Sequence, residues 1–184
     1  MISQPLKNAC LRMLEHRGYS LLENEECPIE VGFYEYFIFK KNNQKCALFF
    51  INMVKFGDTS KPFNVDFIRD IITISKKYNH IIIVYQNNIT ASAKKIANSK
   101  KFDRRIELFN EKEITPFDKI NHSLVPKHIL VENPEPIIKK CGGDIHKFPK
   151  LLTTDPIAKY YGYTKNQLIK IIRRNGFVAY RVVY

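Results

Sequence analysis

The sequence predicts a mixed α/β fold, α+β overall, in two parts: an N-terminal three-layer α/β domain and a small C-terminal α+β domain ending in a β-hairpin. Three observations carry this. Ile81-Ile82-Ile83-Val84-Tyr85 is a short continuous apolar run between helical stretches, as a strand covered on both faces requires. Composition shifts near residue 118: the part before it holds 18 basic and 14 acidic side chains, the part after it 12 and 4. Asn175-Gly176 sits between two β-rich stretches, a hairpin signal that calls for positive φ at both residues. The domains are therefore drawn as 1–118 and 119–184.

In the first part, Leu6, Cys10, Met13 and Leu14 recur at helical spacing and Arg17-Gly18 offers a stop, so 4–17 is read as an amphipathic helix. Val31–Phe39 and Cys46–Val54 are rich in aromatic and β-branched residues and flank a polar turn, 40–44, which predicts a hairpin. Phe63–Tyr78 returns to helical period, with Phe67, Ile71, Ile74 and Tyr78 on one stripe and Asn64 as N-cap. Thr90 caps a helix over 91–99, and Ile106–Phe109 is a further strand.

In the second part, Pro126, Pro134, Pro136, Gly142, Gly143 and Pro149 exclude long elements from the first half. Thr154-Asp155-Pro156 then starts a helix that Gly162 ends. Leu168–Arg173 and Phe177–Tyr184 are the hairpin strands, whose edge could add to a partner's sheet.

Function classes narrow by chemistry. The net charge of +12 favours polyanions, chiefly nucleic acid, through counterion release. The cysteines at 10, 27, 46 and 141 lack metal-site or redox spacing and are expected as reduced, packed thiols. No apolar run approaches the roughly 20 residues of a membrane span, and Met1-Ile2-Ser3-Gln4-Pro5 does not open a signal peptide, so a soluble intracellular protein is expected. There is no Gly-rich phosphate loop, no Gly-x-Ser-x-Gly elbow and no His-x-x-x-His pair. No acid stands two residues before a lysine, as the commonest metal-dependent nucleases need. No catalytic residue, metal or cofactor is expected, and no small-molecule substrate.

Two basic groupings remain. Lys94, Lys95, Lys100, Lys101, Arg104 and Arg105 follow a polar loop, where they suit either phosphate contacts or a solvated face. Lys165, Lys170, Arg173, Arg174 and Arg181 interleave with Tyr163, Phe177, Tyr180 and Tyr184. That pattern fits single-stranded nucleic acid and a protein-binding surface equally.

Several segments resemble the small subunit common to eukaryotic RNA polymerases I, II and III, whose C-terminal domain is shared with a small subunit of archaeal RNA polymerase. They are Leu124-Val125-Pro126-Lys127-His128, then Thr154-Asp155-Pro156-Ile157-Ala158-Lys159-Tyr160-Tyr161-Gly162, Leu168–Arg173 and Ala179-Tyr180-Arg181. Upstream, His16-Arg17-Gly18-Tyr19 and Val84-Tyr85-Gln86-Asn87-Asn88-Ile89-Thr90 with Ser92-Ala93 are similar too.

The resemblance implies a non-catalytic polymerase subunit. Residues 1–118 would be a jaw beside downstream double-stranded DNA, with Asn87, Asn88, Thr90, Ser92, Lys94 and Lys95 nearest it and no reading of sequence. Residues 119–184 would dock on the largest subunit, among other polymerase subunits. The docking residues implied are Pro126, Lys127, His128, Asp155, Pro156, Tyr160, Gly162, Lys170, Arg173, Tyr180 and Arg181. The site of action would be the nucleus, or a cytoplasmic viral factory or virion for a large DNA virus. The alternative is a free-standing basic nucleic-acid-binding protein. The chain departs from the family's pattern in having Ala91 for a proline and Asn166-Gln167 where the family ends a Lys-x-Gly.

Overall fold

The computed structural model describes residues 3–22, 29–31, 34–51, 62–86, 88–99, 102–114 and 125–184. It is α+β and divides into two compact units, Met1–Thr115 and Pro116–Tyr184.

The first unit is built on a sheet of order β1-β3-β4-β5-β6, with β2 also pairing β3. The strands are β1 (Ser20–Leu21), β2 (Ile29–Val31), β3 (Tyr34–Lys41), β4 (Gln44–Ile51), β5 (His80–Tyr85) and β6 (Arg105–Asn110). β3 and β4 form the expected antiparallel hairpin, Phe39 opposite Cys46, and Asn42 supplies the positive φ that its turn needs. β4, β5 and β6 are parallel, Leu48 beside Ile82 and Ile82 beside Glu107. Every residue of β5 is buried, as its unbroken apolar run requires.

Alternation along the strands divides the core into two layers. Ile38, Ala47, Phe49, Ile81 and Ile83 pack with Phe67, Ile68 and Ile71 of helix α2 (Val65–Ile74) and with Ala93 and Ala97 of α3 (Ala91–Ala97). Phe37, Phe39, Cys46, Leu48, Ile82, Val84 and Phe109 point the other way, where Lys7 and Arg17 of the α1 segment (helix Gln4–His16) lie over the Phe37 and Phe109 rings. Leu6, Cys10, Met13 and Leu14, the predicted apolar face of α1, are all buried. A short helix α4 (Glu111–Ile114) follows β6.

Three readings need correction. The strand expected over 31–39 is two, since Val31 ends β2 and pairs back on Tyr34; residues 52–54 of the second expected strand lie outside the described residues. Helix α2 ends at Ile74, not Tyr78. Tyr78 keeps its buried place through a turn closed by its N–H donating to the Ser75 carbonyl at 3.0 Å. Helix α3 ends at Ala97, with Asn98 as its C-cap.

The second unit has a sheet of order β7-β9-β10-β8: β7 (Lys127–Leu130), β8 (Lys150–Leu151), β9 (Leu168–Ile172) and β10 (Val178–Val183). Leu151, Ile169, Ile171 and Val183 pack with Ala158 of helix α6 (Pro156–Tyr161) on one face. Phe148, Leu168 and Val182 pack with Ile137 and Ile138 of helix α5 (Glu135–Lys140) and with Ile145 on the other.

The hairpin β9–β10 is antiparallel as predicted, but its turn differs. Gly176 has φ +78, whereas Asn175 is not among the positive-φ positions; its Oδ1 accepts from the Phe177 N–H at 3.1 Å. The Gly176 N–H donates to the Arg173 carbonyl at 2.9 Å, so a β-turn runs into a left-handed glycine. Nor is the hairpin an isolated edge: β9 lies inside the sheet, and β8 covers part of β10.

Candidate functional site

The loop predicted to face DNA leaves the C-terminal end of β5, where α/β sheets commonly place their binding loops. It is stapled to Phe63, whose N–H donates to the Asn88 carbonyl at 2.8 Å and whose carbonyl accepts from the Thr90 N–H at 3.0 Å. Thr90 Oγ1 accepts from the Ala93 N–H at 3.2 Å, the expected cap, and Ala91 opens the helix without the family's proline. The helix buries Ala93 and Ala97 and exposes Ser92, Lys94 and Lys95. Asn88, Thr90, Ser92, Lys94 and Lys95 thus belong to one loop and one short helix; Asn87 lies outside the described residues.

The basic run does not form one face. Arg104 Nη1 donates to the Ser75 and Ile72 carbonyls at 3.1 and 3.4 Å, tying off the end of α2. Arg105 Nε meets Glu107 Oε1 at 2.9 Å. Lys100 and Lys101 lie outside the described residues; the described exposed cations of the run are Lys94, Lys95 and Arg105, the last engaged with Glu107.

Glu107 is the centre of a polar network that sequence reasoning missed. Arg17 Nη1 and Nη2 donate to its two oxygens at 3.1 and 3.0 Å. His80 Nε2 lies 2.8 Å from Oε1, and His80 Nδ1 lies 3.0 Å from the Tyr19 hydroxyl. Neutral His80 satisfies both contacts by donating from Nε2 and accepting at Nδ1. Lys41 Nζ donates to the Arg17 carbonyl. Burial by itself would raise the Glu107 pKa, but the Arg17 charge, the His80 hydrogen bond and Arg105 hold it far below the usual carboxylate range. Burial lowers His80, more than its bond to Glu107 raises it. The thiols of Cys10 and Cys46, in this layer, are pushed up by burial. These groups are spent on each other, fastening α1 to β5 and β6. The signal available in sequence was a lone acid in the β6 stretch and an arginine beside Gly18.

In the second unit, several predicted docking residues build the module. Asp155 Oδ1 accepts from the Ile157 N–H at 2.8 Å, Pro156 opens α6, and Gly162 at φ +66 closes it. Tyr160 is only 2 % exposed and belongs to the core, which removes it from any docking surface. His128 Nδ1 lies 2.8 Å from the Pro126 carbonyl. The Tyr163 hydroxyl donates to the His128 carbonyl at 3.3 Å and its pKa is raised by burial. Lys170 and Tyr180 face each other across β9 and β10, half-buried.

Lys127, Pro156, Arg173 and Arg181 remain exposed, Arg173 with its guanidinium 5.7 Å from the Phe177 ring centre. Among the described residues the exposed large hydrophobics are Leu130, Leu152, Phe177, Val178 and Tyr184, all in this unit. Leu130, Leu152 and Val178 escaped the sequence reading, because a strand pattern does not say which side chains remain uncovered. Tyr184 sits under Lys150, 3.8 Å from its ring centre.

Among the described residues no cluster of His, Cys, Asp or Glu is placed to hold a metal, and no helix is long and apolar enough to cross a membrane. Fold and surface define the class: a two-unit α+β protein with a basic second unit that exposes apolar side chains. Comparison with known proteins sharpens it. Residues 117–184 match the family described as RNA polymerase Rpb5, C-terminal domain. The DNA-directed RNA polymerase subunit Rpo5 of Methanothermobacter thermautotrophicus is 36 % identical over 70 residues, 35 % of this chain and 91 % of the relative. The subunit rpabc1 of RNA polymerases I, II and III of Dictyostelium discoideum is 28 % identical across 97 % of this chain and 93 % of its own length. A putative polymerase subunit, 454R, of Invertebrate iridescent virus 6 is 27 % identical across 93 % of this chain and 94 % of its own. The chain belongs to the Rpb5 family of DNA-directed RNA polymerase subunits.

Proposed function

We propose that the chain is a non-catalytic subunit of a multisubunit DNA-directed RNA polymerase. Residues 119–184 dock it on the largest subunit, and residues 1–118 support downstream duplex DNA. The observation that carries this is the family match over residues 117–184, a segment about as long as the 70 residues shared with the archaeal Rpo5. A module of that size supports only a thin core of its own, and this one leaves apolar side chains at the surface, as a part that completes its burial against a partner does.

The DNA role rests on Asn88, Thr90, Ser92, Lys94 and Lys95 around one loop. The Thr90 hydroxyl accepts from the helix and keeps its own proton to donate, while the two lysines offer charge. Such contacts position a phosphate backbone without reading sequence. The jaw therefore acts by geometry and attraction, and transcription proceeds on it in the nucleus, or in a viral factory for a virus-encoded polymerase.

Co-purification tests the assignment. Tagged full-length chain should bring down two very large polymerase subunits, and deletion of 119–184 should abolish this. Lys94→Ala with Lys95→Ala should leave assembly intact and weaken DNA engagement, more so at low salt. A chain that purifies alone from its source would instead be a free-standing nucleic-acid binder.

A further inference from the structure

β8 covers β10 only at Val182 and Val183, the Val182 N–H donating to the Pro149 carbonyl at 2.9 Å. On the opposite side, β10 pairs with β9 along its length from Val178 to Val182. The Arg173 N–H donates to the Phe177 carbonyl at 2.9 Å, which fixes the alternation. Odd-numbered residues of β10 bond to β9, and Val178 and Tyr180 turn their main-chain N–H and C=O to the other side. No strand among the described residues pairs with that half of the edge.

The same half is apolar and basic. Phe177 and Val178 are 58 % and 38 % exposed, and Arg173 and Arg174 stand exposed at the turn. Residues 156–184 hold six basic side chains and no acidic one. A hydrophobic strand edge left unpaired is a template for another strand, and the surrounding charge selects an acidic one.

We propose that this uncovered edge of β10, at Val178–Tyr180, receives an extended acidic segment of a partner polymerase subunit. The segment adds as a short strand in line with β8, packs an apolar side chain against Phe177 or Val178, and sets carboxylates against Arg173 and Arg174. This deepens the docking reading and rests on it. Duplex DNA is a poorer occupant, because phosphates do not use a strand's alternating donors and acceptors.

A photo-crosslinking residue at position 178 of the full-length tagged chain, within purified polymerase, tests this. Attachment to a partner peptide in which Asp and Glu outnumber Lys and Arg supports the edge. Attachment to DNA, or no attachment while the polymerase still co-purifies, overturns it and leaves docking standing. Loss of co-purification by the untreated wild-type chain sinks the docking reading itself. Val178→Pro deletes the outward N–H without touching the β9 ladder, and R173E/R174E reverses the local charge. Each should lower incorporation in competition with wild type about tenfold, with an unchanged unfolding midpoint. Equal incorporation by both variants would contradict the proposal.

Discussion

The two units spend their polar and apolar groups in opposite ways. The first encloses a fully buried central strand between helical layers and buries a carboxylate under two arginines and a histidine. The second closes two thin clusters and leaves Leu130, Leu152, Phe177, Val178 and Tyr184 at the surface. A unit that buries charge must satisfy it internally, and is strongly destabilised when one partner is removed. On the proposed docking, a unit that exposes apolar area leaves part of its burial to its partner. The first unit thus satisfies its buried charge internally, and on that docking the second is completed by its partner.

The largest effect should come from the buried network. Glu107→Ala strands the Arg17 guanidinium in the core and should cost about 3–5 kcal/mol in urea unfolding; a loss under about 1 kcal/mol would mean that the network does not fasten α1. Acid should act through the same groups. His80 has a pKa below its ordinary 6.5 in the folded state, so the unfolded chain takes up that proton more readily. Stability from this group is full above pH 6.5 and falls as the pH drops toward the folded value. Glu107, also lowered, adds a second loss below its ordinary 4.5. Unfolding midpoints between pH 8 and 5 should decline below 6.5 in the wild type, and more shallowly in His80→Gln.

A smaller effect belongs to the second unit. Asp155→Ala removes the α6 cap and should cost about 1 kcal/mol, read as raised hydrogen exchange in Ile157–Tyr161 with β4 and β5 unchanged. Smallest of all, Phe177→Ala should shift stability by less than about 0.5 kcal/mol, as a surface change does, yet weaken incorporation into polymerase.

The two units also differ in how far they could be read in advance. Local signals survived: the Ile81–Tyr85 run, the caps at Asn64, Thr90 and Asp155, and the stop at Gly162 follow from chemistry within a few residues. The Arg17–Glu107 pair could not be read, because its members lie 90 positions apart and meet only through the sheet. Tyr78 kept the helical stripe but reaches the core from a turn, since periodicity reports burial and not the path of the chain. The basic run from Lys94 to Arg105 looked like one patch because charge is visible in sequence, whereas the helix-end carbonyls that claim Arg104 are not. Asn166 takes φ +68, a left-handed backbone need that asparagine meets and that its neighbours' sequence did not announce.

Hydroxyl-radical footprinting of the free chain against the same chain in assembled polymerase tests the contrast most directly. Phe177, Val178 and Leu130 should lose at least severalfold of their reactivity on assembly, while the buried β5 residues stay silent in both states. Equal reactivity of those three side chains in the free and assembled states would contradict a second unit built to be completed by a partner.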